Sequence, residues 1–341
     1  CLADGGSEPS CLRRIRRAME RDRRIKAVFL GHNRGIAGNT AAAAELAQGE
    51  LLAFLDHDDM LAPFAVYELT HARRQFPRAD FFYSDEDKLD GKGRYDPHFK
   101  PQWSPDTLRS YNYITHLMAM TPQLFERAGG MRRGYDGSQD HDLALRASGK
   151  AEQIVHIPKV LYHWRAHRGS VAGNGYGKDY AFEAGRRAVE SAATAENPRC
   201  RVEPGLFPHS YRVQYELQGW PLVSIIIPNL ENAEMLEQCI SSVERTADGM
   251  RCEFLVVDSG SVEPRTRALY ASLSRNGRAR VLQRRGEFNY SAANNYGALH
   301  AGGELLLFLN NDIVALEPGW IQEMASHAQR PSVGAVGAKL L

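Results

Sequence analysis

One block of this sequence occurs twice, 254 residues apart. Asp4-Gly5-Gly6-Ser7 returns as Asp258-Ser259-Gly260-Ser261, Gly49-Glu50-Leu51-Leu52-Ala53-Phe54-Leu55 returns as Gly303-Glu304-Leu305-Leu306-Leu307-Phe308-Leu309, and Asp58 falls on Asp312. Three landmarks in one register make coincidence a poor explanation. The chain therefore reads as two copies of one domain, and 341 residues with 43% hydrophobic content can fill two cores.

Each copy runs as a strand ending in an acidic turn, a helix, a second strand, an Ala-rich helix and a third strand ending in acids. In the first copy the helices are expected at Ser10–Asp22 and Thr40–Gln48, and the strands at Lys26–Leu30 and Leu51–Leu55. Short continuous apolar runs alternating with helices predict an α/β fold with a mostly parallel sheet covered on both faces. Such sheets bind ligands outside the carboxyl ends of their strands, which is where both acidic clusters fall. The register also predicts what each copy lacks. The second opens with the strand Leu222–Pro228, which has no partner in the first; the first continues through Asp136–Asp142, which has none in the second. The expected organisation is a first domain over 1–197 lacking its first strand, a linker over 198–220, and a second domain over 221–341 lacking its C-terminal half. The linker follows a long helix at Tyr180–Thr194, holds Pro204, Gly205 and Pro208, and includes a short strand at Tyr211–Leu217.

The 42 basic and 41 acidic residues leave a net charge of +1, so no global field recruits nucleic acid or an anionic membrane. Five cysteines without CxxC spacing suggest neither a disulfide framework nor a zinc knuckle, and fit a reducing compartment. The longest apolar runs have strand length, and no basic segment leads into an apolar run with a cleavage site. These features predict a cytoplasmic protein.

Phe54-Leu55-Asp56-His57-Asp58-Asp59 places three carboxylates just past a buried strand. Acids at the edge of an apolar core are costly unless paired, and a hard divalent cation bridging to a diphosphate would pair them. Asp56 and Asp58 fall on one side of an extended chain, so Asp58 suits direct ligation and Asp56 suits ribose or metal; the plain alternative is a solvated turn in which Asp59 caps a helix. Asp312 keeps the last acid in the second copy, behind Asn310 and Asn311. Asp4 and Asp258 end strands beside Gly and Ser, a place suited to the hydroxyls or base edge of a nucleoside, or simply to a turn. In Asp136-Gly137-Ser138-Gln139-Asp140-His141-Asp142, a loop runs into a helix; Asp140, at the helix start, is the better general base, with N-capping as the alternative. Leu161-Tyr162-His163-Trp164-Arg165-Ala166-His167-Arg168 supplies His163 and His167 as candidate metal ligands and Arg165 as a candidate diphosphate clamp.

These residues resemble the family 2 glycosyltransferases of GT-A fold. Pro221–Asn229 with Val257-Asp258-Ser259-Gly260-Ser261 is similar to that family's first strands, and Asp56-His57-Asp58-Asp59 looks like its DxD motif. Gln139-Asp140-His141-Asp142 resembles its ED motif, with Gln for the first acid. Trp164-Arg165-Ala166-His167-Arg168-Gly169-Ser170 resembles its late Tyr-Arg-x-His element, with Trp for Tyr. Tyr83-Ser84-Asp85-Glu86-Asp87-Lys88 with Phe99–Pro105 is similar to large tandem enzymes of O-antigen and other bacterial surface-polysaccharide synthesis.

The resemblance implies two tandem, Rossmann-like GT-A domains and an inverting transferase. Its donor would be a nucleotide-diphosphate sugar, its acceptor a glycan or lipid-linked oligosaccharide, and its cofactor Mg²⁺ or Mn²⁺ held by Asp58 with His167 or His163. Asp140 would be the base, and the acceptor would bring the enzyme to the cytoplasmic face of the inner membrane. Two rivals stand beside it. A sugar nucleotidyltransferase needs a Gly-rich basic loop after its first strand, where this chain has Asn229-Leu230-Glu231-Asn232. A second copy keeping only Asp312 could instead be a non-catalytic docking or sugar-binding module.

Overall fold

The structure, a computed structural model, describes residues 1–165 and 179–338, in two units, Cys1–Gln214 and Tyr215–Leu341. The first unit opens with β1 (Leu2–Asp4), α1 (Pro9–Arg21), β2 (Ala27–Phe29), α2 (Gly35–Ala44), β3 (Leu52–Ala53) and β4 (Met60–Leu61). It continues with α3 (Ala65–Gln75), β5 (Phe81–Asp90), β6 (Gly93–His98), α4 (Pro105–Ser110), β7 (Met118–Met120) and α5 (Pro122–Arg127). Then come α6 (Gln139–Ser148), β8 (Ile154–Arg165), α7 (Asp179–Glu196), β9 (Cys200–Pro204) and β10 (Tyr211–Tyr215).

β5 is the axis of this unit. Its side chains alternate across the sheet, as strand geometry requires. Phe81 and Tyr83 enter a core with Leu143, Val189 and Tyr211, while Phe82 faces a second core with Leu69, Leu117 and Leu161. The sheet order is β3-β7-β5-β8-β4, with β6 also on β5. Among the described residues, β5 and β8 are parallel and the other pairings of this sheet are antiparallel, so a mostly parallel sheet is not what this unit builds. Of the antiparallel pairs, β5–β6 is a hairpin turning at Gly91 and Lys92, and the others join strands from distant stretches of chain. β1 and β2 form a separate parallel pair.

α2 begins five residues before the expected Thr40. Asn33 Oδ1 accepts from Gly35 N at 3.0 Å, and Asp136 Oδ1 accepts from Ala37 N at 2.9 Å. The second cap comes from 99 residues away and satisfies an N-terminal donor that the alanine run alone leaves open. The segment read as a linker holds the β9–β10 hairpin, and Val202 and Tyr211 are buried in the first core.

The second unit contains β11 (Val223–Asn229), α8 (Ala233–Thr246), β12 (Cys252–Asp258), α9 (Pro264–Arg275), β13 (Arg280–Gln283), α10 (Tyr290–Leu299), β14 (Leu305–Phe308) and α11 (Trp320–Ala328). Its sheet, β13-β12-β11-β14, is parallel throughout, and all seven residues of β11 are buried. Ile225 and Ile227 pack against α8, and Ile226 lies on the opposite face with Ala293 of α10.

The repeat is visible in hydrogen-bond register. Leu2, Ala3 and Asp4 lie opposite Ala27, Val28 and Phe29; Val256, Val257 and Asp258 lie opposite Val281, Leu282 and Gln283, each position shifted by 254. The carbonyl of Asp4 accepts from Leu30 N at 2.9 Å, and that of Asp258 from Arg284 N at 2.9 Å. In the second unit β11 pairs with both β12 and β14, whereas β1 and β3 belong to different sheets. Among the described residues, no helix is long and apolar enough to cross a membrane.

Candidate active site

The turn after β3 carries the acids. Asp59 is held twice by β8: Tyr162 Oη donates to its Oδ2 at 2.6 Å and Arg165 N donates to its Oδ1 at 2.7 Å. Arg165 Nε also donates to the Asp58 carbonyl at 2.7 Å, and Asp56 N donates to Tyr162 Oη at 3.2 Å. Arg165 thus props the acidic turn. Asp58 lies 3.7 Å from His57, with its side chain 34% exposed.

Asp56 Oδ2 lies 3.9 Å from His116 Nε2, and one ligand atom each from Asp56, Asp59 and His116 falls within 4.8 Å of the others. That spacing suits a divalent cation. Asp56 reaches solvent, yet the protein around its carboxylate partly desolvates it and raises its pKa. His116 opposes the rise, and the carboxylates of Asp59, Asp140 and Asp58 add to it. Of these acids, Asp140 comes from a different element, α6.

Asp140 sits in the first turn of α6, where a negative charge is favoured. Its Oδ2 accepts from Asn112 Nδ2 at 3.0 Å, and Asn112 Oδ1 accepts from Thr115 N at 3.2 Å. Asp142 is a different kind of acid. It is 1% exposed and paired with both Arg132 and Arg146, the latter through Oδ2 at 2.6 Å. Both of its carboxylate oxygens accept from guanidinium groups.

The remaining expected residues are dispersed. His163 is buried, and its Nδ1 donates to Asp87 Oδ1 at 2.5 Å while Arg94 Nε donates to Asp87 Oδ2 at 2.6 Å; this imidazole belongs to a buried ion network and is not grouped with the acidic turn. His167 lies outside the described residues. Asp4 is buried and closes its own turn, accepting from Gly6 N at 3.1 Å and Ser7 N at 3.2 Å. The Ser7 side chain foremost, with the Gly6 and Ser7 amides, lowers its pKa against the cost of burial. Asp258 is buried in the matching turn, its Oδ1 accepting from Ser261 N at 2.9 Å and Tyr270 Oη at 3.1 Å.

Asp312 is exposed, and its neighbours are tied off. Asn311 Nδ2 donates to Asn229 Oδ1 at 2.7 Å, and Asn310 Oδ1 accepts from Tyr290 Oη at 2.8 Å. In the 254-residue register Asn310 stands where the first unit has Asp56, and Asn311 where it has His57.

Asn112, Thr115 and His116 escaped the sequence reading. They share a loop with no repeat partner and no motif of its own. The signal for them lay in Tyr83–Lys88: Glu86 Oε1 accepts from Thr115 Oγ1 at 2.7 Å and Glu86 Oε2 from His116 N at 3.0 Å.

The profile of Glycosyl transferase family 2 matches residues 1–128 and 224–340. An uncharacterized protein, y4gI, of Sinorhizobium fredii is 41% identical over 347 residues, covering 100% of this chain and 38% of that protein. The O-antigen biosynthesis protein RfbC of Myxococcus xanthus is 38% identical over 339 residues, covering 99% of this chain and 26% of RfbC. The chain thus spans well under half of either relative. Among solved structures, S. aureus TarS 1–349 in complex with UDP-GlcNAc aligns with TM-score 0.46 and 15% identity over 56% of each chain. With most of both units matched by the family profile, this chain belongs to glycosyl transferase family 2.

Proposed function

We propose that the first unit is the catalytic part of an inverting glycosyltransferase. It would move a sugar from a nucleoside-diphosphate sugar to a glycan or lipid-linked acceptor in bacterial surface-polysaccharide synthesis, in the cytoplasm or at the cytoplasmic face of the inner membrane. The observation that carries this reading is the 112–116 loop, whose Asn112 holds the Asp140 carboxylate at 3.0 Å and whose His116 lies 3.9 Å from Asp56. Transfer needs these two functions side by side: acids for a cation at the leaving group, and a separate base for the incoming hydroxyl.

Asp56 and Asp59, with Asp58 in the same turn, fit Mg²⁺ or Mn²⁺ by donor type and spacing. Such an ion, when bound, neutralises charge developing on the departing diphosphate. The chain's own groups do the rest. Asp140 takes the acceptor hydroxyl's proton while that oxygen attacks the anomeric carbon from the face opposite the leaving group, and one displacement inverts the centre. Tyr162 and Arg165 keep Asp59 and the Asp58 carbonyl in place, so the turn does not reorganise during the step.

We read the two units as tandem copies of one GT-A fold, supported by the 254-residue register of β1–β2 on β12–β13. The amide-lined end of β14 favours a second unit that works without a metal or only docks its ligand.

The test is transfer from a panel of nucleoside-diphosphate sugars with Mn²⁺ or Mg²⁺, with product anomers assigned by NMR. Asp140→Asn is expected to lower kcat by roughly 100-fold or more with donor KM within about threefold. Retained turnover in that variant sinks the assignment of the base.

A further inference from the structure

We infer that His116 is a metal ligand of the first unit, and that its Nε2 biases the site toward Mn²⁺ over Mg²⁺. This rests on the reading of Asp56 and Asp59 as cation-holding acids.

The backbone of His116 is fixed by buried ions. Glu86 accepts its N–H at 3.0 Å, and Lys100, whose side chain is fully buried, donates Nζ to its carbonyl and to that of Ile114. The ring is fixed by aromatic contacts. It stacks on Tyr162 at 4.4 Å between centroids and 11° between planes, with the Trp164 edge at 5.7 Å. Tyr162 is also the residue that holds Asp59, so one side chain orients both the imidazole and the second carboxylate.

Among the described residues neither ring nitrogen makes a hydrogen bond, although the side chain is only 15% exposed. His141, His156 and His163, whose imidazoles are less exposed, each have one, to the Leu108 carbonyl, to Asp85 and to Asp87. A histidine serving the core alone would be expected to do the same. Here Nε2 points toward Asp56, 3.9 Å from Oδ2: too long for a hydrogen bond and suitable for two ligands of one ion. Tyr162 and the Glu86–Lys100 clamp hold the imidazole in that orientation.

A nitrogen ligand discriminates among cations. Mg²⁺ requires oxygen donors in a near-ideal octahedron, whereas first-row ions accept imidazole more readily. The acids alone would take either ion.

The experiment uses Mn²⁺ alone, without nucleotide, on the whole chain. Free Mn²⁺ is read by continuous-wave EPR with Mg²⁺ competition, and pulsed EPR reads nitrogen coupling on the bound ion. The wild type is expected to show that coupling and to prefer Mn²⁺. In His116→Gln the coupling disappears and the preference for Mn²⁺ over Mg²⁺ falls roughly tenfold, about the effect of losing one ligand-shell interaction. His116→Asp, a second variant checked for folding by circular dichroism, restores affinity for Mg²⁺ by supplying oxygen. Nitrogen coupling or an unchanged Mn²⁺/Mg²⁺ ratio in His116→Gln overturns the inference while leaving the acidic turn intact. Mn²⁺ binding unaffected by Asp56→Asn with Asp59→Asn overturns the acidic-turn reading itself.

Discussion

A carboxylate's neighbours decide what it can do. Asp140 and Asp142 are two residues apart and look alike in sequence, but Asp142 is locked between Arg132 and Arg146 whereas Asp140 accepts from the neutral amide of Asn112. Asn112 is therefore expected to act through Asp140. Asn112→Ala should lower kcat about tenfold, and the same change in an Asp140→Asn background should have almost no further effect, since the two act as one unit. Steady-state kinetics on the four proteins of that cycle is the check; full additivity would disconnect them.

The strand β5 shows how an element can hold a site from below. Asp85, Glu86 and Asp87 are all buried, and each has partners: His156 at 2.8 Å for Asp85, Lys100 and His98 for Glu86, His163 and Arg94 for Asp87. Burial raises the Glu86 pKa, but hydrogen bonding to His98 and the charges of Lys100 and His116 outweigh it and bring it to about 2. Burial pushes Lys100 down to about 8 against the pull of Glu86. Because the folded pKa of Glu86 lies below its ordinary 4.5, its contribution to stability is complete above that pH and is lost as pH falls toward 2. Glu86→Gln strands a buried ammonium and should cost about 3 kcal/mol near neutrality. Urea melts should show that gap from wild type narrowing as pH drops from 4.5, because only the wild type loses Glu86 ionisation. A constant gap would remove Glu86 as its source.

The repeated glycine before the third strand gives a second test at this scale. A Cβ on Gly303 would lie 2.6 Å from the Leu222 carbonyl oxygen and 2.8 Å from Ser224 N, whereas one on Gly49 meets nothing nearer than 3.4 Å. Gly303→Ala should destabilise the second unit by about 1–3 kcal/mol through overpacking, and Gly49→Ala should be close to neutral in thermal melts. Equal losses would mean that backbone freedom, not the nearby β11 segment, requires the glycine.

For the whole molecule, the two units share a register but differ in the residues at the corresponding strand end. The first gathers Asp56, Asp59 and His116; the second offers Asn310, Asn311 and Asp312 at its corresponding strand end. Mn²⁺ titration should give one tight site per chain. Asp312→Asn should leave it unchanged, and Asp56→Asn should weaken it at least tenfold, the size of effect expected when a ligand carboxylate is lost. Two equivalent sites by calorimetry would contradict the division of labour.

The sequence by itself determined the repeat, the α/β alternation, the acidic turn after β3 and the position of Asp140 at a helix start. All are local: apolar runs, strand-end acids and helix starts act over a few residues, and a duplicated register multiplies the signal. Tertiary structure decided what local pattern does not encode. It placed His163 on Asp87 and not with the acids of the 56–59 turn, neutralised Asp142 with Arg132 and Arg146, began α2 at Gly35 with a cap from Asp136, and turned an expected parallel sheet into a mixed one. It also brought His116 to Asp56 across 60 residues of chain, an approach set by stacking on Tyr162 and by the buried Glu86–Lys100 pair. Those contacts depend on which elements pack together, and packing is decided by the shape of a core rather than by the order of residues along any one segment.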